Sequence, residues 1–310
     1  MCGIAGIFSL NGNPIERALL KRMCDVIAHR GPDDHRYLFG GSYGYDYHRH
    51  HIDPAEDRPA TVALGHRRLS IVDIQHGHQP MANEDRSVWI IYNGEVFNHE
   101  SLRSELVKQG HRFETHADTE AIIHLYEEKG VGCALDLNGQ FAFALWDARD
   151  NSFLLVRDRF GIKPLYYTFH DGRLLFASEI KAILQDQRIP RRLNYQALSE
   201  HFTFQNTYGD KTFFEGIHLL PAGHWLKIGG DGRIQQEQYW DLVYRGDDAR
   251  DEITLQNELR EHLEGAVRRQ LMSEVPVGAH LSGGMDSGSI AALATRNIPH
   301  LQTFNCGFDI

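Results

Sequence analysis

The second residue of the chain is a cysteine, Cys2, directly behind Met1. A small residue at that position permits removal of the methionine, so the mature chain is expected to begin with a thiol and a free α-amine on one residue. The amine titrates at roughly 8 in isolation, near enough to neutrality to act as a base, and a thiolate is a strong nucleophile toward carbonyl carbon. Taken alone, Cys2 reads equally as a small residue buried in a first strand. A second constellation points to phosphate. Leu281-Ser282-Gly283-Gly284-Met285-Asp286-Ser287 stands between an apolar stretch at 275–281 and a helix expected from about Ser287. Backbone N–H groups of such a loop, backed by a helix N-terminus, cradle phosphates. No Gly-Lys-Ser/Thr follows, so this is not a Walker A loop. The run His48-Arg49-His50-His51 invites a metal reading, but it lacks zinc-ligand spacing and is assigned to an exposed loop. Cys24, Cys133 and Cys306 read as buried small residues.

These groups sit in 310 residues, enough for about two domains. Hydrophobic residues at 42% and charged residues at 24% mark a globular chain. Thirty-two Lys and Arg against forty-two Asp and Glu leave a net charge of -10, which argues against nucleic acid or an anionic membrane as the main partner. The four cysteines form no close pair, so neither a disulfide framework nor a zinc module is indicated. No apolar run approaches the roughly eighteen residues of a membrane span, and the first residues carry no basic leader of a secretory signal.

The positioning elements follow from periodicity. Residues 1 to about 205 are dense in strand signals: 4–9, 88–92, 140–147, 152–156, 165–169 and 173–177. In 140–147, Phe141, Phe143 and Leu145 point one way and Ala142, Ala144 and Trp146 the other, as in a strand buried between layers. Asp150-Asn151 and Asp171-Gly172 read as turns. Asn13 is expected to cap a first helix with Pro14 at its first position and Leu19, Leu20, Met23 and Ile27 as its apolar stripe. Asn98 is expected to cap a second helix that ends before Gly110, and a third spans 118–129 and stops at Gly130. Strands apolar on both faces, with helices to cover them, suggest a layered α/β or α+β sandwich. A closing hairpin and charged linker are expected at 206–250, then a helix at 254–273 and the strand–loop–helix of the phosphate motif.

The stretches MCGIAGIF, RGPDD at 30–34, GHRRLSIVD at 65–73, GHQPM at 77–81, YNGEVFNH at 92–99, HADTE at 116–120, DRFGIKPLYY at 158–167 and FASEIKAIL together resemble the class II glutamine amidotransferases, and within them the glutamine-dependent asparagine synthetases. The resemblance covers nearly the whole chain. It implies a four-layer αββα sandwich of the N-terminal-nucleophile hydrolase type. The start of an α/β ATP-pyrophosphatase domain, of the adenine nucleotide alpha-hydrolase type, is expected to follow at 251–310.

Carried onto this sequence, the family pattern makes Cys2 the nucleophile toward the side-chain amide of glutamine. Asn93 and the N–H of Gly94 become the oxyanion donors. Arg68 takes the glutamine α-carboxylate and Asp118 its α-ammonium, while Glu95, Ile71 and Val72 line the pocket. Those residue types suit such a ligand, because a zwitterionic head calls for one fixed cation and one fixed anion, and an arginine fork binds carboxylate in a bidentate way. Without their neighbours, Asn93-Gly94 would read as a type I′ turn and Arg68 and Asp118 as surface charges. The loop resembles the pyrophosphate loop of enzymes that cleave ATP to AMP and pyrophosphate, with Leu281, Ser282, Gly283, Gly284 and Ser287 at the phosphates and Asp286 toward Mg2+. Gly288 departs from that pattern, in which a further serine is usual.

The reaction implied is hydrolysis of glutamine at Cys2 and use of the ammonia, through an enclosed path, to amidate an adenylated carboxylate, most simply aspartate. The partners implied are glutamine, ATP and aspartate or another carboxylate, in a cytoplasmic setting, with a homodimer as the assembly the resemblance allows. A sugar acid, antibiotic or peptide carboxylate is an alternative acceptor, and a non-catalytic storage or regulatory protein on the same fold is a rival of another class. The chain itself is expected to hold a complete glutaminase and only the opening of a synthetase domain.

Overall fold

In a computed structural model, the described residues are 1–42, 44–52, 58–244, 246 and 249–307. They form two compact units, Met1–Ser70 with Gln75–Asp241, and Ile71–Ile74 with Leu242–Ile310.

The first unit is built on two sheets. One runs, in spatial order, β11 (His218–Leu219), β9 (Tyr166–His170), β10 (Arg173–Ala177), β1 (Gly3–Ser9), β4 (Val62–Arg68), β2 (Asp34–Gly41) and β3 (Gly44–Arg49). The other runs β13 (Ile234–Gln238), β12 (His224–Ile228), β8 (Ser152–Arg157), β7 (Gly139–Asp147), β6 (Val88–Val96) and β5 (Met81–Ala82). Every pairing within them is antiparallel. Three apolar cores show how the layers stack. One joins the inner faces of both sheets, for example Ile4, Leu64 and Phe176 with Trp89, Trp146 and Phe153. A second packs α2 (His99–Gln109) and α3 (Asp118–Lys129) on the outer face of the six-stranded sheet. The third packs α1 (Arg17–Asp25) and α4 (Ile180–Ile183) on the outer face of the seven-stranded sheet. The result is the αββα sandwich. The alternation in β7 decides its place: Phe141, Phe143 and Leu145 enter the core under α3, and Ala142, Ala144 and Trp146 enter the core between the sheets. A further helix, α5 (Tyr195–Phe204), is capped by Asn194, whose side chain accepts from Ala197 N at 3.1 Å.

In the second unit, the side chain of Asp251 caps α6 (Glu252–Gln270) by accepting from Thr254 N at 2.9 Å. The strand β14 (Gly278–His280), the glycine loop, α7 (Met285–Ala294) and β15 (Gln302–Phe304) follow, with β14 and β15 parallel. Among the described residues, no helix is long and apolar enough to cross a membrane.

Several expectations are corrected. The first helix begins at Arg17, not Pro14, because Ile15 N donates to Ala60 O at 2.8 Å and holds residues 13–16 out of the helix. Asn98 stands at the N-cap of α2, but its side chain bonds Asp136 O and Asn138 N instead of the helix. His48 is buried in β3 against Phe39 and Arg17, so only His50 and His51 fit the exposed-loop reading. Cys306 is exposed and lies beyond β15, whereas Cys24 and Cys133 are buried as expected.

Candidate active site

Strand β1 lies in the middle of its sheet, with Gly3 opposite Arg67 of β4, so Cys2 stands at the strand's edge beside the end of β4. Its thiol sulfur accepts from Leu69 N at 3.4 Å and approaches Leu69 O at 3.6 Å. Burial pushes the Cys2 thiol up, while the Leu69 backbone contact, the N-terminal amine and Arg68 pull it back. Burial also lowers the α-amine of Met1 from its ordinary value. Arg30 Nε donates to Cys2 O at 3.0 Å, with Arg30 Nη1 held by Glu179 at 3.2 Å. Gly31 lets this segment cross β4: a Cβ there would lie 2.3 Å from the Arg67 carbonyl.

Asn93 and Gly94 occupy the interior of β6, paired with Ala142 and Phe141 of β7, which removes the hairpin-turn alternative. A side chain at Gly94 would place its Cβ 2.3 Å from Gln140 O. Asn93 is 1% exposed, and neither its Nδ2 nor its Oδ1 has a hydrogen-bond partner among the described residues. A buried amide with both ends unmatched costs about 1–3 kcal/mol, a penalty that a bound ligand with a carbonyl or oxyanion would relieve.

Around this strand, acidic groups are crowded. Asp118, the first residue of α3, accepts from Tyr92 OH at 2.7 Å and Val96 N at 2.8 Å. Burial raises it from the usual carboxylate range, and those two hydrogen bonds only partly oppose the rise. Glu95 is pushed up to about 8 by burial and then by Asp118, against the pull of Lys163. A buried and a half-buried carboxylate in one another's field are a receptor for a cation such as an ammonium. Gln79 fixes the frame, donating to Thr119 Oγ1 at 3.2 Å and accepting from Tyr92 N at 2.6 Å.

Arg68 ends β4 opposite Asp34 of β2 and is buried. Its Nη1 lies 3.3 Å from His78 Nδ1, which is itself 2.8 Å from Asp34 Oδ2. Burial would raise Asp34, yet His50 at 2.6 Å and Arg36 at 2.9 Å hold it down to about 2. An ionised Asp34 keeps a proton on His78 Nδ1, so His78 separates Arg68 from the carboxylate rather than accepting from it.

Thus Cys2, Arg68, Asn93, Gly94, Glu95 and Asp118 are carried by the first unit. Ile71 and Val72 belong to the short segment grouped with the second unit, where Ile71 O accepts from Glu274 N at 3.0 Å. Arg30 and Lys163 are additions that the sequence reading does not single out. Burial lowers Lys163, which lies in the field of Glu95, Asp158 and Cys2. The RGPDD and DRFGIK stretches were the available signals. In the second of these, Asp158 folds the loop by accepting from Phe141, Phe160, Ile162 and Lys163 N–H groups at 2.9–3.1 Å.

The phosphate motif forms a separate cluster. Ser282 and Ser287 hydroxyls are 2.9 Å apart, Ser282 N donates to Ser287 Oγ at 3.2 Å, and Leu281 N donates to Phe304 O at 2.9 Å. Gly283 takes φ +81°, and Gly284 is the N-cap of α7, with Asp286 exposed in the first turn. The loop and helix N-terminus fit an oligophosphate; a side chain at Gly283 would meet no atom within 4 Å, so the approach is open.

Comparison with known proteins places this geometry. Residues 1–240 match the model of the glutamine amidotransferase domain, and the chain belongs to that family. Residues 258–309 match the asparagine synthase model. Asparagine synthetase [glutamine-hydrolyzing] 2 of Bacillus subtilis is 39% identical over 98% of this chain and 40% of its own length. Asparagine synthetase B of Escherichia coli is 35% identical over 96% of this chain and 45% of its own. Amidase chry2 of Gibberella zeae is also 35% identical, over 96% and 43%. The chain thus spans less than half the length of these relatives. The structure of glutamine phosphoribosylpyrophosphate amidotransferase from B. subtilis shares the fold, at a TM-score of 0.57 and 18% identity, over 98% of this chain and 65% of that one.

Proposed function

We propose that the first unit hydrolyses glutamine at Cys2. In the longer protein represented by the relatives, the ammonia amidates an adenylated aspartate, giving asparagine, AMP and pyrophosphate. The observation that carries the reading is the unmatched amide of Asn93 buried among complementary charges. Once Met1 is removed, the Cys2 amine takes the thiol proton and the sulfur attacks the glutamine side-chain carbonyl. The oxyanion is met by Asn93 Nδ2 and Gly94 N–H; as it collapses, the Cys2 ammonium gives its proton to the leaving nitrogen, which expels ammonia and leaves a γ-glutamyl thioester. Water then cleaves the thioester to glutamate and restores the thiol. Arg68 takes the α-carboxylate of glutamine, and Glu95 and Asp118 its ammonium.

ATP is assigned to Leu281, Ser282, Gly283, Gly284 and Ser287, with Asp286 toward Mg2+. Ammonia protonated in bulk water would lose its nucleophilicity, so delivery must be enclosed. A cytoplasmic enzyme and a homodimer belong to the same proposal. A second reading, an acceptor other than aspartate, is favoured by relatives of similar identity that are named amidases.

The test is glutamate release from glutamine by this chain and by Cys2→Ala, followed by amide formation in the full-length protein from glutamine or from ammonia. Cys2→Ala should lose glutamine use and keep ammonia use. Loss of both in a folded variant, or no glutaminase activity in the parent, would overturn the assignment. Pyrophosphate exchange with aspartate and other carboxylates separates the two acceptor readings.

A further inference from the structure

On α3, His124 and Glu127 lie three residues apart on one face, and His111 meets them from the segment that joins α2 to α3. One ligand atom from each of the three lies within 4.8 Å of the other two. His124 Nδ1 is 2.8 Å and His111 Nδ1 3.6 Å from the same oxygen, Glu127 Oε2. His124 is fully buried, and the side chains of His111 and Glu127 are 14% and 16% exposed.

Two of the three are also gripped from behind. His111 Nε2 is 2.9 Å from Glu128 Oε1, and Glu127 Oε1 accepts from Asn83 Nδ2 at 2.7 Å. His124 Nε2 faces Glu120 Oε1 at 3.9 Å, beyond hydrogen-bond reach, and has no hydrogen-bond partner among the described residues. The Glu128 contact keeps the His111 proton on Nε2, which leaves the Nδ1 lone pair directed at Glu127; carboxylates behind histidines are the usual support of metal ligands.

Ion pairing alone accounts poorly for this arrangement. The two imidazole rings have centroids 4.7 Å apart, so charging both would stack like charges. Three carboxylates, Glu120, Glu127 and Glu128, nevertheless surround them. A single dication on both Nδ1 atoms and Glu127 Oε2 offsets most of that negative charge without the repulsion. We propose that His111, His124 and Glu127 bind a transition-metal ion, with the two-nitrogen, one-oxygen set best suited to zinc and a water as fourth ligand. Bond lengths of about 2.0–2.2 Å in a tetrahedral site set donors roughly 3.3 Å apart, and the 2.8 and 3.6 Å separations bracket that value. The bound ion pins the 111–117 segment to α3 and is separate from the glutamine chemistry.

The test is a titration of chelator-treated protein with zinc against a chromophoric competitor. It uses a Cys2→Ala, Cys306→Ala background that removes the accessible thiols. One equivalent per chain should bind, and the midpoint of thermal unfolding should rise with zinc. His111→Ala should weaken binding at least a hundredfold, and Glu128→Gln, at a more exposed position, about tenfold to a hundredfold. No binding at micromolar zinc, or binding indifferent to both folded variants, would overturn the site. Failure of His111→Ala to fold leaves Glu128→Gln to decide.

Discussion

Replacing Asn93 with alanine should separate catalysis from stability. The side chain is 1% exposed and its amide makes no hydrogen bond within the described protein, so the substitution breaks none. Removing an unmatched buried amide relieves about 1–3 kcal/mol, and the small cavity left behind costs a similar amount. The unfolding free energy should therefore stay within about 1 kcal/mol of the parent, a shift of at most a few degrees in Tm for a domain of this size. In the proposed reaction the same amide is assigned to the oxyanion, and losing one such donor costs about 2.7–4 kcal/mol, or 10²–10³ in kcat. The assay is steady-state glutamate release beside a thermal melt. KM should change little, because the donor acts on charge that develops after binding. A kcat within threefold of the parent would refute the oxyanion role. An unchanged kcat with a large drop in Tm would show instead that the amide is a structural group.

Other outcomes follow from the same geometry. Glu95, raised to about 8 from an unfolded value of 4.5, binds a proton in the folded protein that the unfolded chain has lost. Its contribution therefore makes stability fall as pH rises between these values, and Glu95→Gln should flatten that slope in denaturant titrations. Glutamine's ammonium favours the ionised form, so the parent should release protons on binding glutamine below pH 8, visible as buffer-dependent binding heats that Glu95→Gln lacks. Asp34 is held down to about 2, so the stability it contributes is present above its unfolded value of 3.8 and is lost as pH falls through that interval. Asp34→Asn should loosen His78 and Arg68 and raise KM for glutamine more than it lowers kcat; an unchanged KM would count against the Arg68 assignment. Gly94→Ala must displace backbone, since its Cβ would sit 2.3 Å from Gln140 O, and should cost about 1–3 kcal/mol in chemical denaturation.

Local pattern carries much of the fold into view. The alternation of 140–147 identifies a strand with two buried faces because both faces meet apolar layers, and the Gly110 and Gly130 stops hold because helix ends there are set locally. The first helix differs, because the competing bond from Ile15 N goes to Ala60 O, far along the chain. His48 departs from expectation for a related reason: its neighbours His50 and His51 are exposed, and only strand pairing turns His48 inward. At the site, residues inside dense motifs are legible from their types, whereas Arg30 and Lys163 act through folding of remote segments onto Cys2 and Glu95. The His111 cluster is invisible in sequence, since His111 and His124 stand thirteen positions apart and no short spacing announces them.

Strand β7 offers no face to water, and Asn93 and Gly94 are zipped to it through Ala142 and Phe141. Its amide hydrogens should therefore be among the last to exchange with solvent, opening only when the first unit unfolds as a whole. The proposed oxyanion donors thus inherit the global unfolding free energy as their own barrier to displacement. Denaturant too weak to unfold the unit should leave their aim intact, even where surface loops around them already fluctuate.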